Sequence, residues 1–486
     1  MKAKSKMTKL LLCGTALIAA GGMAARAQTS DSSEIDQLKA QMQEMQKNMD
    51  AMQEKINELE QEKATANQNQ APAHTAQPAA PVANYESSNT NVFAGMASPI
   101  KDRGALNDQQ VPAPRLDNDT LDPKYYGFFQ IPNTPAIMQL NAKPRVDAMA
   151  DTKNTGNPDR FVTATIPTSG GGGGPQFNMT ARGSQLSMDV RAPSLPGDFR
   201  FYYQNDFFGS GGGSMPYRLR QLYGQFYNVT AGFTYSIFED PDVWPDTVDY
   251  EGPDSAIFAR QATVRYMVPL GDGFQMNFGL QQPSSDIDTD NTTATAVNHA
   301  PDGGFNIRWE NSERGHVQLA MIFRDLGAND TTLGNQNVLG WGMNFSANLD
   351  TFGKDTLQAQ ITYGDGIFHF CNDNFTYTGF AGGDAAFNSA GQLKALAYVA
   401  PMLGYTHYWC DDFRSTVSAG YVNLENQSSQ TGAAYHQTVY TSANLVWQIR
   451  KRLSVGLESL YGYKQDQDQD HRAVWRFQTG LVYSLF

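Results

Sequence analysis

The 486-residue chain is predicted to be all-β: a sixteen-stranded antiparallel transmembrane β-barrel preceded by an N-terminal α-helical coiled coil. Three observations predict it. Beyond residue 124, apolar and polar residues alternate along segments of about ten residues, the length that crosses a bilayer as a tilted strand. The polar members are mostly Gly, Asn, Gln, Ser and Thr, which suits a wet interior better than the solvated face of a sandwich. Short turns and long connections follow one another in strict alternation, as the two rims of a barrel require. Composition agrees, because 40% hydrophobic residues beside 44 Gly and 11% aromatics is too lean for one dense globular core of this length.

The elements follow in chain order. Residues 1–27 read as a secretory signal: Lys2, Lys4, Lys6 and Lys9 precede the apolar run from Leu10 to Ala20, and Ala25-Arg26-Ala27 forms a small-residue cleavage site. Cys13 lies within that run and is read as filler. Losing the signal removes four Lys, Arg26 and no acid, so the formal charge moves from −13 to −18, which argues against a nucleic-acid partner. No later run reaches the roughly 18 apolar residues of a spanning helix, so a membrane could be crossed only by strands.

Residues 28–63 form the coiled-coil segment. Ile35, Leu38, Met42, Met45, Met49, Met52, Ile56 and Leu59 are spaced alternately by three and four, a heptad seam for self-association. The sequence leaves two strands or three open. Residues 64–124, rich in Ala, Pro, Gln and Asn, read as a flexible linker. The barrel domain is 125–486.

Within it, Trp341, Met343, Phe345, Ala347 and Leu349 share one face, as do Leu357, Ala359, Ile361 and Tyr363. The same period places strands near 136–149, 176–191, 198–208, 217–228, 229–238, 257–269, 273–282, 303–310, 315–325, 338–350, 355–365, 393–409, 412–423, 435–449, 452–464 and 472–486. Long connections are expected at 150–175, 209–216, 239–256, 283–302, 326–337, 366–392, 424–434 and 465–471. The last stripe, Trp475, Phe477, Leu481, Tyr483 and Leu485, leaves the terminal Phe486 out of phase and calls for a bulge or frayed end.

The third long connection is crowded with acids: Glu239, Asp240, Asp242, Asp246, Asp249, Glu251 and Asp254. Strand parity points Lys143, Arg145, Arg182, Arg200, Arg218, Arg220 and Arg265 to the polar side. Two readings stay open. An acidic loop facing a basic wall would set a transverse field that orients charged solutes; alternatively the arginines are consumed by ion pairs with the loop and with Asp147, Asp189 and Asp206.

Other signals carry less. Asp286, Asp288 and Asp290, and Asp466, Asp468 and Asp470, alternate in two loops but lack the Gly and distal Glu of an EF-hand. Gly170–Gly174 has no following Lys-Ser/Thr. His369 and Cys371 are a metal-like pair without a second pair, and no HExxH, GxSxG or CxxC occurs. No catalytic constellation, cofactor or metal is expected. Cys371 and Cys410 should lie at opposite membrane ends and so remain unbonded.

Residues 219–266 carry a resemblance. Tyr223–Phe226 (Y-G-Q-F), Phe238–Asp242 (F-x-D-P-D), Pro245–Thr247 (P-D-T), Glu251–Pro253 (E-G-P) and Arg260–Gln261 before a strand resemble the DcaP-like trimeric porins, and 181–191 and 205–213 do so more loosely. The heptad helix ahead of a barrel is similar as well. The resemblance implies a homotrimer in the Gram-negative outer membrane, among lipid and lipopolysaccharide, with its coiled coil in the periplasm. It implies an inward-folded third loop and passive diffusion of small, often anionic solutes such as dicarboxylates. The alternative is an envelope tether whose coiled coil contacts peptidoglycan.

Overall fold

The computed structural model describes residues 127–486 apart from 171–172, 193–198, 211–213, 290–291, 375–382 and 486, together with Lys47 and Lys55, both helical and exposed. The signal, the heptad seam and the linker lie outside the described residues, as does Phe486. The chain divides into two compact units, Met1–Ser87 and Ser88–Phe486, and the strands among the described residues belong to the second.

The strands, in order, are β1 (Phe129–Gln130), β2 (Ile137–Lys143), β3 (Arg145–Asp151), β4 (Gln176–Thr180), β5 (Gln185–Ala192), β6 (Phe199–Asp206), β7 (Arg218–Phe226) and β8 (Val229–Tyr235). Then come β9 (Arg260–Gly271), β10 (Phe274–Gln281), β11 (Ile287–Asp288), β12 (Thr295–Val297), β13 (Asp302–Asn311), β14 (Gly315–Asp330), β15 (Gly334–Asp350) and β16 (Thr356–Asp365). The last are β17 (Ala385–Phe387), β18 (Leu393–Ala395), β19 (Ala397–Tyr408), β20 (Phe413–Leu424), β21 (Tyr435–Arg450), β22 (Leu453–Asp466) and β23 (His471–Tyr483).

From β5 onward each long strand pairs antiparallel with the next long one. At the other end β2 pairs with β5 and β3 with β4, so β2 and β3, split by Pro144, act as successive halves of one strand. Proline has no N–H for the ladder, which is why the break falls there. β23 pairs with β3 from Arg476↔Asp151 to Val482↔Arg145. Below that, Tyr483 N–H donates to Pro144 O and Leu485 N–H to Ala142 O, and β1 takes over the edge of β2 at Ile137 and Met138.

One face of this sheet is exposed and apolar; the other is buried and mostly polar. On β16 Ile361 and Tyr363 are 50% and 49% exposed, whereas Gln358, Gln360 and Thr362 between them are at most 3% exposed. β10 and β23 repeat the pattern with Phe278 and Leu280 outward, and with Trp475, Phe477 and Leu481 outward. The core sits on the inner face, where connections rather than a second sheet supply the apolar side chains. Ile237, Phe238, Ile257, Ile367, Phe368, Phe370 and Val162 pack there against Ile322, Ala400 and Val422 of the strands.

Several expected boundaries move. β8 stops at Tyr235 and β9 starts at Arg260, so Ile237 and Phe238, expected on a strand, turn inward and are fully buried. The expected loop 326–337 is instead a hairpin: β14 and β15 run on to Asp330 and Gly334, closed by the Asp330 carboxylate accepting from the Thr332 and Leu333 N–H groups, both at 2.6 Å. The expected strand 393–409 is two strands. β18 belongs with β17 and β11 in a separate small sheet, and the fully buried Leu396 marks the crossing to β19.

Candidate functional site

The segment 236–259 between β8 and β9 lies against the inner face, and its own sequence explains its shape. Pro241 opens a short 3-10 turn over Pro241–Val243 that Asp240 caps, accepting from the Asp242 N–H at 3.3 Å. A loop buried in this way leaves carbonyls without ladder partners, and each must find a donor. Carboxamides on the wall supply them. Asn306 Nδ2 donates to Ile237 O at 2.9 Å, Asn344 to Phe238 O at 3.0 Å, Asn348 to Asp242 O at 2.7 Å and Asn444 to Asp246 O at 2.7 Å. The Asn and Gln that read as a wet face are thus partly a docking surface for the loop.

Glycines on the same face leave room for it. A Cβ on Gly404 would lie 2.6 Å from Pro245, and one on Gly342 would lie 2.7 Å from Ile367, itself packed on Phe238. Gly462 makes the same space for Phe161 of the first long connection, at 2.8 Å.

All seven acids of the segment are buried or nearly so. Asp240 accepts from Arg308 at 3.0 Å, meets His316 Nε2 at 2.9 Å and accepts from Ser346 at 2.5 Å. Burial opposes its charge, yet His316 and Arg308 hold the carboxyl well below the usual carboxylate range. Asp242 accepts from Arg308 at 2.6 Å, Asp246 from Arg414 at 2.6 Å and Glu251 from Arg160 at 2.8 Å. Glu239 accepts from the Ala259 N–H at 3.0 Å, and burial pushes its pKa far up. Asp249 and Asp254 accept backbone N–H groups from Phe161 and Thr163.

The basic residues expected on the wall pair mainly with acids outside the loop. Arg145 grips Asp147 bidentately, its Nε at 2.7 Å and Nη2 at 2.9 Å. Arg200 grips Asp189 likewise, at 3.0 and 2.9 Å, with Arg191 on the same carboxylate at 3.1 Å. Arg218 takes Asp206 at 2.8 and 2.6 Å, and Arg220 takes it at 3.0 Å while donating to Tyr250 Oη at 2.5 Å. Arg182 meets Asp159 at 2.7 Å with its side chain 31% exposed. Arg265 donates to Tyr235 O at 3.3 Å, and Lys143 is half-buried. Arg145 Nη2 also donates to the Val248 carbonyl, so Arg145 and the Arg220–Tyr250 pair link this wall directly to the loop. The loop's cationic partners, Arg308, Arg414 and Arg160, were not singled out from sequence. The signal was available: Arg308 and Arg414 lie on the inward phase of β13 and β20, as do Arg324 of β14 and Arg476 of β23.

Asp240, Asp242 and His316 offer ligand atoms within 4.8 Å of one another, and the Arg308 guanidinium bridges the two carboxylates there. Cys371 is buried and His369 half-buried, and desolvation together with Arg324 lowers His369 to about 3. Cys371 is buried and Cys410 exposed, each as a free thiol.

A family model described as DcaP outer membrane protein matches residues 133–475. Among solved structures, the outer membrane channel DcaP of Acinetobacter baumannii is 18% identical, covers 74% of this chain and 99% of its own, and superposes with a TM-score of 0.65. An anion-selective porin from Comamonas acidovorans is 11% identical, with 72% and 100% coverage and a TM-score of 0.47. No curated protein matches. At these identities the structural likeness bears on fold alone.

Proposed function

Because the chain belongs to the DcaP outer membrane protein family, we propose that it is a trimeric channel of that membrane: a closed barrel of sixteen strands through which small hydrophilic, predominantly anionic solutes of the dicarboxylate kind diffuse passively. The observation that carries the reading is the two-faced sheet, apolar side chains exposed on one side and polar side chains enclosed on the other, an arrangement that places lipid outside and water within. Closure is supported by the ladder between β23 and β3. Counting β2 with β3 and β4 with β5 as single strands supports a wall of sixteen among the described residues. The heptad seam at the N-terminus supports assembly of several copies through a periplasmic coiled coil.

The sign of the selectivity is supported by charge segregation. On the wall from β5 to β9, Arg191, Arg200, Arg218, Arg220, Arg260 and Arg265 are balanced by Asp189, Asp206 and a Glu239 that burial drives toward its neutral form. Across the inner face the loop acids meet Arg308, Arg414 and Arg160, so they fix the loop's position and leave the net cationic field on the facing wall. Arginine forks on such a wall suit carboxylates.

Selectivity should rest on the cations nearest water. Arg182 and Arg218 keep 31% and 15% of their side chains exposed, whereas Arg200 is sealed. Replacing Arg182 or Arg218 by Gln is expected to move the reversal potential in a salt gradient across a planar bilayer toward zero, with permeability to a dicarboxylate falling in parallel. Reversal potentials identical to wild type in both variants would remove the selectivity role.

A further inference from the structure

Three connections meet on the inner face, through residues 152–170, 236–259 and 366–374. The second and third run side by side. Phe258 N–H donates to Phe370 O at 2.7 Å, Asn372 N–H to Ala256 O at 2.9 Å and Asp373 N–H to Asp254 O at 3.0 Å. Onto this ribbon the first connection is fastened almost wholly by carboxyl groups. Asp249 accepts from Phe161 N–H at 3.3 Å, Asp254 from Thr163 N–H at 3.2 Å, and Asp373 from Thr163 Oγ1 at 2.9 Å and Ala164 N–H at 2.7 Å. The wall adds a fourth, Glu458 of β22, which accepts from the Asp249 N–H at 2.5 Å.

These four groups are at most 4% exposed, and among the described residues none of them enters an ion pair. The charges that face them are already matched or of like sign. From the first connection Arg160 is held by Glu251, and from β23 Arg476 is held by Asp151. From β21 come neutral donors, Tyr435 Oη at 2.8 Å and Thr438 Oγ1 at 2.7 Å to Asp373, while Tyr440 faces Asp249 and Glu458. Cys371 Sγ donates to the Asp254 carbonyl at 3.3 Å, with Tyr398 of β19 beside it. Several acids packed together without cations cannot all be ionised in so dry a place.

We propose that this cluster is a proton-operated latch, in which protonated carboxyl groups hold residues 161–164 of the first connection against 249–254 and 373, and loss of their protons to water frees that connection from the inner face. No other bond forms or breaks. Burial, reinforced by Glu251, pushes Asp249 up to about 7 against the pull of Arg476; burial and neighbouring acids hold Asp254 well above the carboxylate range, and burial raises Asp373 as well. Once released into water the same groups return to roughly 4. The latched form therefore binds more protons than the released one, so it gains as pH falls between about 7 and about 4 and is weakest above 7. Its consequence, a wider bore at higher pH, rests on the channel reading; the latch itself does not.

The protein carries its own reporter. Cys371 is sealed inside the latch, where burial pushes its thiol pKa up, and Cys410 is exposed. Maleimide labelling of the full chain in lipid vesicles, read by mass spectrometry as the Cys371 to Cys410 ratio, cancels the ordinary pH dependence of thiol reactivity. The ratio is expected to rise by up to about tenfold per pH unit for each proton released, between about pH 5 and about pH 7, and to lose most of that rise in Asp254→Asn, whose amide oxygen still accepts from Thr163, and in Glu458→Gln. A wild-type ratio flat with pH, or a rise of full steepness in both variants, overturns the latch. Conductance recorded alongside separates the two claims: a steep labelling ratio with a pH-independent current keeps the latch and removes the wider bore, whereas a steep ratio with no current at all keeps the latch and counts against the channel reading.

Discussion

Replacing Asp206 by Ala is expected to cost about 3–5 kcal/mol of stability, the usual penalty for stranding a buried charge, and to be among the most damaging single changes in the wall. Asp206 is fully buried and receives Arg218 twice, Arg220, the Tyr250 hydroxyl and the Phe208 N–H. Without it two guanidinium groups on β7 face each other with Arg260 nearby and no carboxylate between them. Arg220→Met in the same background should restore part of the loss, because one buried cation leaves with the anion it needed. The measurement is the free energy of urea unfolding of the protein refolded in lipid vesicles, and a value within about 1 kcal/mol of wild type would show that the cluster is more hydrated than its burial indicates.

The second large effect concerns the loop. Arg308, 4% exposed, holds Asp240 at 3.0 Å, Asp242 at 2.6 Å and Glu310 at 3.0 Å, so one side chain on β13 secures the start of the 236–259 segment to the wall. Arg308→Gln should cost a similar 3–5 kcal/mol, but locally. Asp240 keeps His316 and Ser346, while Asp242 and Glu310 are left together without their cation. The loop is then expected to leave the wall part of the time, raising mean single-channel conductance and adding flicker. A wild-type current trace from folded Arg308→Gln protein would assign the anchoring to the carboxamides and to Arg414 instead.

How much of this was legible in the sequence depends on what each residue faces. Where a strand touches lipid the outer stripe is apolar and the period of two is plain, as in Leu357, Ala359, Ile361 and Tyr363, and there expectation and structure coincide to within a residue or two. Where a strand projects beyond the apolar zone the stripe vanishes: Gly327 and Asn329 continue β14 but read as loop, so the hairpin to Asp330 was missed. The inward bend at Ile237 and Phe238 was hidden for the opposite reason. They continue the apolar pattern of β8 although they leave it, because the inner face has a core of its own.

The site was half visible. Acids at 239–254 and arginines of strand parity could be named, since composition and phase are local properties. Which arginine meets which acid is a matter of register across the sheet, and only pairing shows that Arg308 and Arg414 reach the loop while Arg200 and Arg218 turn to Asp189 and Asp206. The carboxylates Asp373 and Glu458 were unreadable as partners, because Asp373 meets Thr163 across 210 residues of sequence and Glu458 meets Asp249 across 209.

The most direct test of the account is a nitroxide scan along β10 in lipid vesicles. Labels at Phe274, Phe278 and Leu280, which are exposed and apolar, should collide with oxygen dissolved in lipid, and those at Gln275 and Asn277, on the polar face, should collide with a water-soluble nickel chelate. An alternation of period two is the expected result; uniform access of all five positions to the aqueous chelate would contradict the placement of lipid outside and water inside.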